Sequence, residues 1–339
     1  MKELKVYKYR SGDDTTFDRD LKSLENDTFW AASKDELNDA CEYLISAETL
    51  QKQLSDTRNL TNDSKLLNAI VRMKSSLNEL LHSRDNTGIY SLSKTQLDEL
   101  LWAHYANGHR GFCIEYDLDT LMSLYDNDLF SFEIKYCNTP PTLSHNDMNK
   151  LDDSKFIYQK LMGIKSIKWK YEKELRIISQ EIGFKNYDYR AVKSIYFGIR
   201  FPNDKKQSVM KTLKGRKINY FQMTLKPNTY TLFANEIDDL YPTKEKYLYS
   251  IAPIGEIATD ASLFTGDLEQ YKPFIPKIAE IVRREPNCKR VLLIEYSTHK
   301  SKPGKPVFFG QYQMNNSKYH NLYLTPEDID EKFSLIDDL

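Results

Sequence analysis

Residues 167–179, IKWKYEKELRIIS, contain two glutamates separated by one residue, with an arginine two positions further on. If this run is a strand, Glu172, Glu174 and Arg176 lie on one face, because successive side chains of a strand point to opposite sides. Two carboxylates in one space repel each other, which raises the pKa of one, and a nearby arginine keeps the other ionised. A helix would separate the two glutamates, but the β-branched end of the run favours a strand that begins near Tyr171.

Three polar residues precede this pair, each on or beside a predicted strand: Arg10, Ser91 and Ser93. The chain thus carries an arginine, a Ser-x-Ser pair and a Glu-x-Glu pair in that order, which suits chemistry on a dinucleotide. An arginine binds phosphate through two parallel hydrogen bonds. Small hydroxyls hold a ribose, and a carboxylate stabilises the oxocarbenium-like centre that forms when a glycosidic bond breaks.

The three tryptophans of the chain lie in segments that also contain polar residues. Trp30 is in FWAAS, Trp102 in LLWAHY, and the third tryptophan lies in the Glu-x-Glu run. A large aromatic side chain is most often a core residue. The faces of Trp102 or Tyr105 could also sandwich a nicotinamide ring, and His104 lies between them on the same predicted helix. We therefore take Trp30, Trp102, His104 and Tyr105 as candidate cofactor-binding residues.

Two other hypotheses stay open at this stage. Asp119, Glu133 and Lys135 have the types found in a magnesium-dependent nuclease, where carboxylates hold the metal and a lysine helps to position water. An exposed strand face also explains the Glu-x-Lys pattern. In the third hypothesis the helix around residues 102–109 is a non-enzymatic module that binds a ligand or partner. Its histidines, five residues apart, suit a hydrogen-bonding role better than metal ligation, and we predict no metal site.

The composition is that of an ordinary soluble protein. The chain has 339 residues, 40% of them hydrophobic and 29% charged, and a net charge of −1, so no global charge favours nucleic acid or an anionic membrane. Its four cysteines share no short spacing, which indicates neither a zinc site nor a disulfide framework. The sequence shows no apolar signal core and no run long enough to span a bilayer. We expect a cytoplasmic protein without a membrane partner.

Alternating and helical patterns together predict an α+β fold. Besides the Glu-x-Glu strand, strands are predicted at residues 4–10, 28–33, 88–93, 111–116, 129–136, 192–198, 218–224 and 229–234. A charged helical pattern at about residues 44–86 interrupts them, and we expect a peripheral insertion. The acidic, proline-containing stretch after residue 235 marks a boundary. The prediction is a catalytic domain at 1–235 and a smaller α+β domain at 236–339, of unknown role, with strands at 290–297 and 307–314.

Five segments within about residues 5–235 resemble a large bacterial family known as domain of unknown function 2971. They are YKYRS at 7–11, FWAASKDELNDACE at 29–42, YSLSK at 90–94, LWAHYANGHRGFCIEY at 101–116 and WKYEKELRI at 169–177. The segment NDACE at 38–42 departs from the family's more usual Asn-Asp-Pro-Phe-Glu, which affects one local turn.

The order of arginine, Ser-x-Ser and Glu-x-Glu also resembles the ADP-ribosyltransferase superfamily, which splits nicotinamide from NAD on a mixed, split β-sheet. That likeness implies Arg10 on the phosphates, Ser91 and Ser93 at the ribose strand, and Glu174 as the catalytic carboxylate. Glu172 would act on an acceptor, a protein or nucleic acid of unknown identity. NAD would be a substrate, consumed by a transferase or a glycohydrolase. Chains of this kind often serve as toxins or phage-defence effectors, so the resemblance implies such a setting.

Overall fold

The computed structural model describes residues 4–46, 48–125, 128–148, 150, 154–242, 251–285, 288–314 and 319–336. The chain divides into two compact units, residues 1–243 and 244–339. No helix among the described residues is both long and apolar enough to span a lipid bilayer.

The strands of the first unit are β1 (Lys5–Arg10), β2 (Thr28–Ala31), β3 (Gly88–Ser93), β4 (Phe112–Asp117), β5 (Leu129–Glu133), β6 (Lys135–Cys137), β7 (Ile164–Ser166), β8 (Glu174–Ser179), β9 (Gly183–Asn186), β10 (Val192–Phe197), β11 (Asn219–Leu225) and β12 (Leu232–Ile237). Its helices are α1 (Phe17–Glu25), α2 (Glu48–Leu60), α3 (Ser64–Asp85), α4 (Glu99–Tyr105), α5 (Leu118–Met122), α6 (His145–Met148), α7 (Ser154–Met162) and α8 (Asn203–Thr212). Short 3-10 helices span Lys34–Glu36, Ile167–Glu172 and Tyr189–Ala191.

One mixed sheet organises this unit, with eight strands in the order β12-β11-β10-β4-β1-β3-β8-β5. Its neighbours are antiparallel except for β10 and β11, which are parallel. Strands β2 and β9 form an antiparallel ribbon, and β6 and β7 form a short parallel pair. The mixed sheet with its helices confirms the predicted α+β class.

The sheet splits between β1 and β3. These strands share one register pair, Tyr7 with Ser93. Nearer the start of β3, Ile89 instead exchanges two backbone hydrogen bonds with Ala32, just after β2, at N–O distances of 2.7 and 2.8 Å. Gly88 is required there, because a Cβ would lie 2.5 Å from the carbonyl oxygen of Glu181. Strand β3 therefore passes from β1 to the β2 segment, and β1 diverges from it.

Helices α2 and α3 are not peripheral, contrary to expectation. Leu50 of α2 and both Ile70 and Leu77 of α3 share a buried cluster with Ile89 of β3 and Ile178 of β8. Ile70 and Leu77 are seven residues apart, so they lie on one side of the helix and can cover the sheet together. Most of the charges that suggested a peripheral position, among them Lys65, Arg72 and Glu79, are exposed, whereas Lys74 and Arg84 are half-buried.

The second unit has an antiparallel sheet in the order β13 (Arg290–Tyr296), β14 (Phe308–Gln313) and β15 (Tyr319–Leu324). Its helices are α9 (Phe274–Val282) and α10 (Pro326–Ser334), with 3-10 helices at Ala261–Leu263 and Gly266–Tyr271. Gly310 lets α9 approach the sheet, because a Cβ there would lie 2.5 Å from the Val282 side chain. Strand β15 and helix α10 were not predicted from the sequence.

Candidate functional site

A cavity of about 580 Å³ lies where the sheet splits. Its walls come from β1, β3, α1, α4, the segment after β2 and the start of β8. Its volume is within the range of pockets that hold small-molecule ligands, roughly 300–1,000 Å³. Of the residues singled out from the sequence, those that line it are Arg10, Trp30, Ser91, Ser93, Tyr105, Glu172 and Glu174.

Two other candidates on α4 do not reach the cavity. Trp102 is fully buried, donates its indole N–H to the backbone oxygen of Gln96 at 2.7 Å, and packs edge-on against Tyr9. His104 is exposed on the outer side of the helix. Leu101 and Tyr105 line the cavity instead, since residues four apart share one helical face. Trp102 thus supports the wall from behind.

The prediction that the two glutamates lie on one strand is wrong. Glu172 ends the 3-10 helix Ile167–Glu172, Lys173 adopts a left-handed conformation with φ of 45°, and β8 begins only at Glu174. Alternating apolar residues in this run produce the same pattern as a strand, which explains the wrong prediction. The change of direction at Lys173 nevertheless brings both carboxylates to one cation: Lys165 Nζ lies 2.7 Å from Glu172 Oε2 and 3.4 Å from Glu174 Oε2.

A buried ion network fixes this pair. Arg176 donates from Nε to Glu174 Oε1 at 2.7 Å and from Nη2 to Glu42 Oε1 at 2.6 Å. Lys165 also lies 3.2 Å from Glu42. The network contains three carboxylates and two cations, so its net charge is −1 when all are ionised. Each of its side chains is at most 7% exposed, and this burial makes the ionic contacts strong.

Lys165 and Glu42 were not recognised as site residues from the sequence. Glu42 ends one of the family-like segments, which was a usable signal. Lys165 lies in the three-residue strand β7, where neither its residue type nor its spacing distinguishes it from other lysines.

The environments of the two glutamates push their pKa values in opposite directions. For Glu174, burial favours the neutral form, but the cationic Arg176 and Lys165 and a hydrogen bond from Ser91 bring the pKa down to about 2. For Glu172, burial raises the pKa, Lys165 opposes that rise, and the charge of Glu174 adds to it. The hydroxyl of Tyr105 donates to Glu172. Carboxylates whose pKa values are separated in this way can serve as an ionised stabiliser and a base.

The serines connect β3 to the glutamate segment. Ser93 Oγ donates to the backbone oxygen of Glu172 at 2.7 Å, which fixes the end of the 3-10 helix. Ser91 lines the cavity beside Glu174 and helps to lower the pKa of its carboxyl group. Ser93 therefore holds the end of the glutamate segment, and Ser91 favours the ionised form of Glu174.

The β1 side of the cavity is cationic. Arg10 has only long contacts, 3.4 Å from Nη2 to the Tyr90 hydroxyl and 3.6 Å from Nη1 to Asp20, and its buried Nε has no partner among the described atoms. Lys8 and Arg19 also line this side. Three cations face one carboxylate here, so this part of the wall carries two net positive charges when all four are ionised.

Two aromatic side chains form an exposed rim. Trp30 of β2 and Phe184 of β9 both line the cavity, with their rings edge-to-face at 4.9 Å. They remain 40% and 62% exposed, respectively. Glu36 accepts the indole N–H of Trp30 at 3.1 Å and so fixes the ring. Phe184 was not identified from the sequence, because the short strand β9 gave no clear pattern.

The residues of the nuclease hypothesis are not brought together. Asp119 follows β4 and Glu133 ends β5, and these strands are four positions apart in the sheet, about 19 Å at the usual strand spacing. Glu133 pairs instead with Lys94 at 2.7 Å. Lys135 belongs to the separate β6–β7 pair. Over the described ranges, no group of three or more histidine, cysteine, aspartate or glutamate side chains is arranged to hold a metal ion.

A model of the family described as "Protein of unknown function (DUF2971)" matches residues 101–177. The matched segment includes Tyr105, Lys165, Glu172, Glu174 and Arg176, and therefore most of the buried network. No curated protein and no solved structure matches the chain.

Proposed function

We propose that the protein binds NAD in the cavity at the sheet split and cleaves its nicotinamide–ribose bond, as an ADP-ribosyltransferase or an NAD glycohydrolase. The observation that carries the proposal is that Arg10 of β1 and Glu174 of β8, which lie on either side of β3, line one cavity. A cation for phosphate and a carboxylate for the reacting sugar are thus available to a single ligand.

The distribution of charge supports this assignment. The cationic wall of Lys8, Arg10 and Arg19 suits the anionic diphosphate of a dinucleotide. The network around Glu174 is negative overall and suits the positively charged nicotinamide ribose. NAD has both charges within one molecule, and the cavity offers complementary charges on two walls. At the rim, Trp30 and Phe184 offer ring faces for a planar base.

The chemistry needs no metal. When the bond from ribose C1′ to the nicotinamide nitrogen breaks, nicotinamide takes both bonding electrons and leaves as a neutral molecule, without a proton. The positive charge then lies on the ribose as an oxocarbenium-like centre. Glu174, held ionised by Arg176 and Lys165, stabilises that charge.

Glu172 would complete the reaction. An acceptor group attacks C1′ from its lone pair, and the proton that it loses passes to the Glu172 carboxylate. When water attacks instead, its proton can pass to the surrounding solvent without Glu172. The raised pKa of Glu172 makes it a stronger base than an ordinary glutamate. The product is ADP-ribose with water, or an ADP-ribosylated acceptor with a protein or nucleic acid.

The test is to incubate the purified protein with NAD, with and without cell lysate, and to measure nicotinamide and ADP-ribose by mass. Nicotinamide should appear in both samples if water is accepted, and only with lysate if an acceptor is required. EDTA should not change the rate. If NAD stays intact under all conditions, the proposal is wrong.

A further inference from the structure

Lys8 is a lysine of the cavity wall whose ammonium group has no carboxylate within 4.0 Å among the described residues. Its Nζ donates to the backbone oxygen of Ser91 at 2.8 Å and lies 4.6 Å from the centre of the Tyr90 ring. The Ser91 carbonyl lies on the part of β3 from which β1 has diverged. Lys8 therefore bridges the split, and its charge is left without a counter-ion.

Several charged groups surround this ammonium. Arg10 lies on the same strand, Arg19 and Asp20 face it from α1, and Glu174 faces it from β8. Burial, followed by the repulsion of Arg10, lowers the pKa of Lys8 to about 7, although Glu174 and Asp20 oppose this change. A lysine with these properties gains or loses its proton near neutral pH, whereas an arginine at the same place stays charged.

We propose that Lys8, together with Arg10 and Arg19, holds the diphosphate of the ligand, and that the ligand binds with uptake of one proton at Lys8. This inference rests on the proposed function for the identity of the ligand. Two phosphate charges near Nζ supply the missing counter-ion and favour the ammonium form over the neutral amine. The proton comes from solvent, and no covalent bond forms or breaks.

Proton uptake has a distinct thermodynamic signature. At about pH 8 the free protein would hold Lys8 roughly nine-tenths neutral, and at about pH 6 roughly nine-tenths charged. Uptake on binding should therefore be close to one proton at the higher pH and close to zero at the lower. The affinity should therefore be about tenfold weaker at about pH 8 than at about pH 6.

The experiment is titration calorimetry of ADP-ribose into the protein, in buffers that differ in ionisation enthalpy, at about pH 8 and about pH 6. ADP-ribose is a suitable probe because its diphosphate is fully ionised throughout this range and because it lacks the bond that the protein would cleave. The dependence of the observed heat on the buffer gives the number of protons taken up.

Two variants separate charge from titration. Lys8→Arg keeps the charge at every pH, so ADP-ribose should bind without proton uptake and with little change in affinity between the two pH values. Lys8→Met removes the charge, so binding should weaken about tenfold or more at the lower pH and also lose its proton uptake. Melting temperatures establish that both variants are folded.

Each outcome has a meaning. The inference is overturned if the parent binds ADP-ribose without proton uptake, if Lys8→Arg retains the uptake, or if the parent does not bind ADP-ribose. Proton-linked binding without any release of nicotinamide from NAD would support the role of Lys8 and remove the proposed activity. Release of nicotinamide without proton-linked binding would support the proposed activity and exclude the role of Lys8.

Discussion

Glu172 and Glu174 share the ammonium group of Lys165, at 2.7 and 3.4 Å, although one ends a 3-10 helix and the other begins a strand. Arg176 breaks the symmetry of this arrangement, because it binds Glu174 through both oxygens and does not contact Glu172. Glu174 therefore stays ionised, while the pKa of Glu172 rises. The same cation holds two carboxylates that differ in their protonation behaviour.

Changing Glu174→Gln keeps the shape of the side chain and removes its charge. We expect the rate of nicotinamide release to fall by about two orders of magnitude or more, since the oxocarbenium-like centre loses its stabilising charge. Because Arg176 also loses an ionic partner, the free energy of unfolding should fall by about 3 kcal/mol near neutral pH. Product analysis by mass and thermal melting measure the two effects.

The sign of the pH dependence follows from the lowered pKa. The stabilisation by Glu174 is fully present above its ordinary pKa of 4.5 and is lost as pH falls toward about 2, so the difference from the parent should shrink below pH 4.5. Glu133→Gln, at an exposed carboxylate on β5, is the control. It should leave the rate intact and shift stability by less than about 0.5 kcal/mol. Equal activity of Glu174→Gln and the parent would end the transferase hypothesis.

Glu172→Gln separates transfer from hydrolysis. The variant lacks the base for the acceptor, so transfer should fall at least about tenfold while much of the NAD hydrolysis remains. In the parent, the rate of transfer should decline as pH falls through the pKa of Glu172, which lies above its ordinary value of 4.5. The reason is that a protonated Glu172 cannot act as a base. This decline at low pH, which is the acid limb of the pH–rate profile, should be absent in the variant. A pH–rate profile of labelled acceptor checks both statements, and an unchanged limb in the variant would exclude Glu172 as the base.

Lys165→Met removes the cation that the two glutamates share. The carboxylates then repel each other with less compensation, so the pKa of Glu172 should rise further and the acid limb of transfer should move up by roughly one pH unit. Stability should fall as well, since Glu42 also loses its lysine partner. The profile is the decisive measurement, because a purely structural lysine would lower the rate at every pH without moving the limb.

Several strands of the sheet were predictable because local patterns determine them, although β8 begins at Glu174 and not near Tyr171. Strand β3 spans Gly88–Ser93 as predicted, and β1 and β10 differ from their predicted ranges by one residue. Their alternation of apolar residues and their flanking turns are visible in any single sequence. Arg10, Ser91 and Glu174, which were selected by their order on three predicted strands, line one cavity.

The ion network could not be predicted in the same way. Arg176 and Glu42 are separated by 134 positions, and nothing in one sequence records such a pairing. The left-handed conformation at Lys173 also has no local signal, because glycine or asparagine would be usual there. Trp102 was placed in the site by its type, but a fully buried ring between helix and sheet has the same sequence signature as a ligand-binding ring.

The aromatic rim gives a prediction about ligand recognition. Phe184→Ala should weaken the binding of adenosine monophosphate about tenfold and leave the binding of ribose 5-phosphate, which has no base, unchanged. In the parent, the base should quench the fluorescence of the exposed Trp30, and Trp30→Phe should remove that signal. Tyr230→Ala, at a tyrosine that is 91% exposed and outside the cavity lining, is the matched control. An equal loss for both ligands would mean that the rim does not contact the base.

Lys8 should reduce the stability of the protein in the absence of ligand. The unfolded chain keeps the lysine protonated up to about pH 10.5, whereas the folded protein does so only up to about 7. The folded state therefore bears the cost of a half-buried charge below pH 7, and this cost disappears as pH rises from 7 to 10.5.

Lys8→Met should raise the free energy of unfolding by about 1–2 kcal/mol at about pH 6, and the gain should decline toward about pH 9.5. Chemical denaturation at these two pH values measures it, with Lys52→Met, at an exposed lysine on α2, as the control. Saturating ADP-ribose should reverse the order, because the parent then gains stability from a ligand that the variant binds weakly. A variant that is less stable than the parent at the lower pH would show that the Lys8 ammonium is not buried at a cost.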